Sequence, residues 1–133
     1  MKKILLAFDG GEPAHRALDL TVDLARQFGA GVTVVSVTPV HPGRVPVDPW
    51  DDRPVHLQEL AEAQQLLRQR GIEPHLLAPT GEPAPTIERI ATEGEFDAVI
   101  LGSRGLGAIS RFLQGSVSEH VAAHGESTVI VAR

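Results

Sequence analysis

A run of glycines and serines between residues 102 and 118 has the clearest chemical potential in this sequence. Its candidate binding residues are Gly102, Gly105, Gly107, Gly115, Ser116, Val117 and Ser118. Glycine lets backbone N–H groups turn toward an anion with no Cβ in the way, and a helix beginning at Gly115-Ser116 would add free amides and a positive end. Phosphate is the predicted ligand, with the Ser116 hydroxyl capping the helix or bonding a phosphate oxygen.

This glycine-rich segment differs from two common phosphate-binding motifs. No lysine follows a glycine in the GK[ST] arrangement, so it is not a P-loop. Ser110 stands where a dinucleotide fingerprint needs its third glycine, and the segment follows the fourth predicted strand rather than the first. Arg104 could neutralise phosphate charge or could be a surface arginine. On local pattern alone, glycines that only let the chain turn are an equally good interpretation.

Alternating strand and helix patterns must position these residues. Apolar runs at residues 4–8, 32–37, 74–78, 98–101 and 128–132 are typical of strands, the third a peripheral one. Helices are predicted over residues 13–28, 83–93 and about 116–124. A further helix is predicted to end at Gly71, with one face made of Leu57, Leu60, Ala61, Gln64 and Leu67. We therefore expect one α/β domain over residues 1–133. Its fold would be a five-stranded parallel doubly wound sheet in the order 3-2-1-4-5 with four helices, a three-layer αβα sandwich.

The strand order predicts where a ligand would bind. In doubly wound sheets, ligands lie beyond the carboxyl ends of the strands, where the order reverses, here between the first and fourth strands. Asp9 and Gly102 close those two strands. The Asp9 carboxylate could accept hydrogen bonds from ribose hydroxyls or help to hold Mg²⁺ through water, the alternative being a solvated turn residue. Five prolines from Pro39 to Pro54 predict a long loop, which could be functional or could be a plain surface excursion.

Composition and charge exclude several classes of protein. Twelve Lys and Arg against seventeen Asp and Glu give a net charge of −5, which argues against broad binding to nucleic acid or acidic membranes. No cysteine is present, so disulfides and thiolate chemistry are excluded. The apolar run after Lys3 stops at Asp9, too short for a signal peptide, and no segment approaches transmembrane length. We expect a cytoplasmic protein.

No catalytic or metal site is predicted. His120 and His124 have the i, i+4 spacing of a chelating pair, but no third ligand is near them in the sequence. No nucleophile elbow of the G-x-S-x-G type occurs. Dedicated hydrolytic chemistry is therefore not supported by the residues.

The spacing Gly102, two residues, Gly105, nine residues, Gly115-Ser116 resembles the ATP-binding motif of the universal stress protein family. The likeness extends from residues 4–10 to residues 129–131. The resemblance implies an adenine-nucleotide-hydrolase-like, flavodoxin-class fold and ATP as ligand, with AMP or ADP as alternatives. Two positions depart from the family pattern, since Gly11 replaces the usual serine and residues 124–127 lack its Pro-Cys-Pro sequence.

The same resemblance implies roles for residues outside the glycine motif. Asp9 would contact the ribose, with Gly10 beside it, and Val37 and Thr38 would lie near the adenine, largely through backbone groups. The last strand, Thr128 to Ala132, would be an exposed apolar edge if it ends the sheet, and such an edge is an aggregation hazard unless it is paired. Pairing with the same strand of a second chain would cover it, and the resemblance also implies a homodimer by this route.

Three functions are compatible with these patterns. The first is an ATP-binding regulatory module in stress response that acts on a further protein. The second is a nucleotide-free dimeric adaptor of the same fold. The third is a slow ATPase or self-phosphorylating protein, although neither a general base nor a P-loop lysine is identifiable. The intact glycine motif favours the first.

Overall fold

The fold was obtained as a computed structural model, which describes residues 1–38, 53–102 and 128–132. Its strands are β1 (Lys3–Ala7), β2 (Gly31–Val35), β3 (His75–Leu77), β4 (Ala98–Gly102) and β5 (Thr128–Ala132). The helices in these ranges are α1 (Glu12–Phe28), α2 (Arg53–Gln69) and α3 (Pro83–Glu93). None of these helices is long and apolar enough to cross a membrane. The predicted helix over residues 116–124 lies outside the described residues.

All neighbouring strands pair in parallel, and the sheet has the predicted order β3-β2-β1-β4-β5. Strand β1 lies at the centre, where Leu6 is aligned with Val34 of β2 and Ile100 of β4. The prediction for β3 is confirmed in that this three-residue strand is peripheral. Helical crossovers between parallel strands produce this order, so the predicted fold class is confirmed.

Alternate residues of β1 face two separate apolar clusters. Ile4 and Leu6 pack with α1 and α2 on one face of the sheet, whereas Leu5 packs with α3 on the other. All three side chains are fully buried. The unbroken apolar run of β1 thus reflects burial on both faces, and the layers are those of an αβα sandwich.

Helix α2 differs from its prediction at its start and in its buried face. It begins at Arg53, inside the predicted loop, because a proline such as Pro54 is compatible with the first turn of a helix. Leu60, Ala63 and Leu67 are buried, whereas Leu57 is 57% exposed and Ala61 is also exposed. The spacing i, i+3, i+7 puts the first three residues on one stripe, and the sheet contacts that stripe.

A carboxylate ties the amino ends of the two central strands together. Asp97, just before β4, accepts hydrogen bonds from the backbone N–H groups of Lys2 at 2.6 Å and Lys3 at 2.9 Å. These bonds hold the pKa of Asp97 below its ordinary value, because they stabilise the ionised form. The starts of β1 and β4 are thereby aligned, which also aligns their carboxyl ends.

Candidate functional site

The carboxyl ends of β1, β2 and β4 lie at the same edge of the sheet, since the strands are parallel and adjacent. Asp9 and Gly10 follow β1, Val37 and Thr38 follow β2, and Gly102 ends β4. The order reverses beside β1, so this is the edge at which doubly wound sheets bind ligands.

The turn from β1 into α1 is held by the Asp9 side chain. Its Oδ1 accepts a hydrogen bond from the Gly11 N–H at 2.9 Å, while the residue as a whole is exposed. Gly10 between them has φ +79°, a left-handed conformation that L side chains rarely adopt. Gly11 is the N-cap of α1 and makes no side-chain capping bond, because glycine lacks the hydroxyl of the serine that is usual at this position in the family pattern.

Gly102 brings the end of β4 into direct contact with the first turn of α1. A Cβ at this position would lie 2.6 Å from the backbone nitrogen of Ala14 and 2.6 Å from the carbonyl carbon of Pro13. Both distances are far below van der Waals contact, so the residue must be glycine for the strand and helix to approach this closely. The chain that leaves β4 therefore starts beside the Asp9 turn.

The end of β2 is held by the segment that follows β3. Thr38 forms a parallel bridge with Thr80, its N–H donates to the Pro79 carbonyl at 2.9 Å, and its carbonyl accepts from the Gly81 N–H at 3.0 Å. Val37 and Thr38 are 8% and 7% exposed. The backbone N–H of Thr38 is thus already used, which leaves the second lone pair of its carbonyl for any further partner.

Polar side chains of α2 contact Ser36 after β2 and His15 of α1, and neither contact was predicted from the sequence. Glu59 accepts a hydrogen bond from the Ser36 hydroxyl at 2.8 Å, and His56 lies 2.9 Å from the same hydroxyl. Glu62, one turn further on, lies 2.8 Å from His15 of α1. The two glutamates are three residues apart and therefore lie on one face of the helix. This spacing is the signal in the sequence from which the contacts could have been predicted.

The remainder of the predicted phosphate site lies outside the described residues. This holds for Arg104, Gly105, Gly107, Gly115, Ser116, Val117 and Ser118, and for His120 and His124. Of the predicted loop from Pro39 to Pro54, residues 39–52 also lie outside the described residues. Among the residues that the structure does describe, no group of three or more His, Asp or Glu side chains could hold a metal ion.

The sequence model of the universal stress protein family matches residues 1–133. The chain belongs to this family. Among its relatives, a universal stress protein of Thermus aquaticus is 30% identical over 135 residues, which cover 99% of this chain and 98% of that protein. A universal stress protein of Methanocaldococcus jannaschii is 27% identical, with 99% of this chain and 82% of that protein covered. The resemblance predicted from the glycine motif is confirmed.

Solved universal stress proteins share the fold. A family member from Burkholderia pseudomallei has a TM-score of 0.68 and 26% identity, covering 98% of this chain and 94% of its own. The Archaeoglobus fulgidus protein, solved in complex with dAMP, has a TM-score of 0.71 and 24% identity, covering 100% and 98%. A universal stress protein solved in complex with cAMP has a TM-score of 0.72 and 19% identity, covering 99% and 97%.

Proposed function

We propose that this universal stress protein is a cytoplasmic, single-domain regulatory module that binds an adenine nucleotide, with ATP as the physiological ligand. The observation that carries the proposal is the close approach of Gly102 to Pro13 and Ala14. It places the start of the glycine motif against the α1 turn, next to Asp9 at the reversal point of the sheet. A nucleotide could then bind with its ribose hydroxyls at the Asp9 carboxylate and its phosphates at the glycine motif.

The ligand would lie across the carboxyl edge with its parts on different strands. Asp9 would accept hydrogen bonds from the ribose hydroxyls, with Gly10 beside it in the turn. The amides of Gly105, Gly107, Gly115, Ser116, Val117 and Ser118, with Arg104, would surround the phosphates. Asp9 would help to hold an accompanying Mg²⁺ through water, and the ion would neutralise phosphate charge.

The adenine would lie near the end of β2, where hydrogen bonds within the protein leave few backbone groups free to contact the base. Because the Thr38 N–H donates to Pro79, a base contact at this residue would use its carbonyl, which can accept from the adenine amino group. Val37 and Thr38 are largely buried, so the ring would contact mainly their backbone atoms. The choice of base is supported by two solved universal stress proteins, one from Archaeoglobus fulgidus in complex with dAMP and one in complex with cAMP.

Calorimetry with ATP and AMP, each with and without Mg²⁺, tests the proposal. We expect the native chain to bind ATP at micromolar to millimolar concentration with no more than slow turnover, and Gly115→Val to lose binding because the side chain would fill the phosphate position. Phosphate release should be measured in the same samples, since fast hydrolysis would favour the ATPase alternative. If millimolar ATP produces neither heat nor a thermal shift in the native chain, the nucleotide-free adaptor replaces this proposal.

We also propose that two copies associate through β5. This strand ends the sheet, pairs with β4 alone among the described strands and carries the apolar residues Val129, Ile130 and Val131, which are only partly buried. Pairing with the same strand of a second copy would cover this edge. Light scattering should give twice the 14.2 kDa chain mass, and Ile130→Lys should shift it toward the monomer. A native chain that stays monomeric at tens of micromolar contradicts the dimer.

A further inference from the structure

The imidazole ring of His15 lies between the β1–α1 turn and helix α2. Its Nδ1 is 2.8 Å from the Gly11 carbonyl oxygen, and its Nε2 is 2.8 Å from Oε1 of Glu62. The ring also contacts the Phe8 ring edge to face, with centroids 5.3 Å apart. One side chain thus joins the Asp9-Gly10-Gly11 turn to a helix that is 47 residues away in the chain.

Both partners of the ring are acceptors, which defines the protonation state that fits the geometry. A carbonyl oxygen only accepts, and so does an ionised carboxylate, whereas a neutral imidazole has a single N–H to donate. The imidazolium form donates from both nitrogens and makes both bonds. Deprotonation must therefore give up the bond to Gly11 or the bond to Glu62.

Helix α2 is held to the neighbouring strand by a second set of contacts. Oε2 of Glu59 accepts from the Ser36 hydroxyl at 2.8 Å and lies 3.1 Å from Nδ1 of His56. The side chains of this pair are only 15% and 18% exposed. Glu59 also lies beside Gly10, since a Cβ built there would be 3.5 Å from its Cγ. The position of α2 is thus coupled to both strand ends that the proposed nucleotide would contact.

We propose that His15 is a positioning residue whose protonated ring holds the Asp9-Gly10-Gly11 turn against α2, so that nucleotide affinity falls as this ring loses its proton. This inference rests on the proposed function, because it concerns how the same site is regulated. His15 does not touch the nucleotide. It acts through the turn that carries Asp9.

The charges around the ring set the sign of the pH dependence. Glu62 faces it from α2, Asp19 lies on its own helix, and Phe8 contributes an uncharged edge from the end of β1. The bond to the Gly11 carbonyl raises the pKa of His15 above its ordinary 6.5, and Glu62 and Asp19 raise it further against the opposing effect of burial. The contact is therefore complete below pH 6.5 and is lost as the pH rises through the raised pKa.

AMP affinity should be measured by calorimetry at half-unit steps from pH 6 to pH 8.5, for the native chain, His15→Gln and Glu62→Gln. Glu62→Gln keeps an acceptor oxygen but removes the charge that favours the imidazolium. The control is His75→Gln, which removes an exposed histidine on the edge strand β3. The titration of the AMP phosphate is common to all four proteins, so only differences between their profiles are interpreted. Circular dichroism at each pH establishes that the variants are folded.

We expect the affinity of the native chain and of His75→Gln to fall about threefold more across this range than that of either site variant, the size typical of a partly exposed charge pair. The His15 ring resonances, assigned by their absence in His15→Gln, should titrate above 6.5 in the native chain and lower in Glu62→Gln. Parallel profiles for all four proteins would overturn the positioning role and leave nucleotide binding intact. A native chain that binds no nucleotide at any pH would overturn the proposed function as well.

Discussion

Gly102→Ala should destabilise the protein by about 2 to 3 kcal/mol, because the new methyl group cannot be accommodated against backbone atoms. It would lie 2.6 Å from the nitrogen of Ala14 and 2.9 Å from the carbonyl oxygen of Pro13. Backbone atoms cannot rotate away as a flexible side chain does, so the start of α1 must separate from β4. In a chain of this size the midpoint of thermal unfolding should fall by about 10 °C. Urea denaturation followed by circular dichroism measures the loss.

Gly31→Ala is the matched control for this substitution. Gly31 is also a strand residue of the same sheet, but a Cβ there would lie 3.9 Å from its nearest neighbour, the Lys2 carbonyl oxygen, and its φ is not positive. The added methyl group should leave stability unchanged or raise it by about 0.5 kcal/mol, since alanine lowers the entropy of the unfolded chain. Equal effects of the two substitutions would contradict the close contact of β4 with α1.

The same contact predicts an effect of Gly102→Ala on ligand binding. Separation of β4 from α1 would widen the distance between the glycine motif and the Asp9 turn, so nucleotide affinity should fall in the fraction of the protein that remains folded. Gly31→Ala should bind as the native chain does. Titration at 10 °C, with circular dichroism of the same samples to measure the folded fraction, keeps the loss of binding separate from the loss of folded protein.

Asp9→Asn should weaken AMP binding about tenfold while the fold stays intact. The amide oxygen of asparagine can still accept the hydrogen bond from the Gly11 N–H, so the turn should keep its shape. Hydrogen bonds from ribose hydroxyls to a carboxylate are charge-assisted, and losing that charge costs about 1.5 kcal/mol, or roughly a factor of ten in the dissociation constant. Calorimetry and a thermal melt of the same preparation measure the two properties.

Two further variants separate the ligand contact of Asp9 from its role in the turn. Asp9→Ala removes the acceptor for Gly11 as well, so it should lose about 1 kcal/mol of stability in addition to binding at least as weakly as Asp9→Asn. Asp23→Asn removes a similar charge from the exposed face of α1 and should change neither property. Native affinity in Asp9→Asn would show that this residue serves only the turn and that the ribose lies elsewhere.

Much of the architecture could be predicted because its cause is local. Unbroken apolar runs such as residues 4–8 alternate with helical periodicity, and that alternation leaves few topologies besides a parallel doubly wound sheet. Parallel strands place their carboxyl ends at one edge, so the proximity of Asp9 and Gly102 followed from the order of elements alone. The spacing of the glycine motif and the likeness of the first and last strands predicted the family, and the match over residues 1–133 confirms it.

The buried face of α2 could not be predicted as well. Its sequence offers two overlapping apolar stripes, one containing Leu57 and Ala61 and the other Ala63. The exposure of Leu57 and the burial of Ala63 depend on how the helix is rotated against the sheet. Periodicity gives the spacing of a stripe but does not choose between two stripes that share Leu60 and Leu67.

The amino-acid sequence by itself determined the class of fold and the family, and it predicted the edge at which the proposed ligand would bind. Only the tertiary structure showed that Gly102 lies against the first turn of α1, and that His15 and Glu62 join the Asp9 turn to α2. These contacts link residues tens of positions apart, and they depend on the rotation and approach of packed helices and strands. Hydrophobic pattern carries no information about such distances, because many sequences with the same pattern pack their polar residues differently.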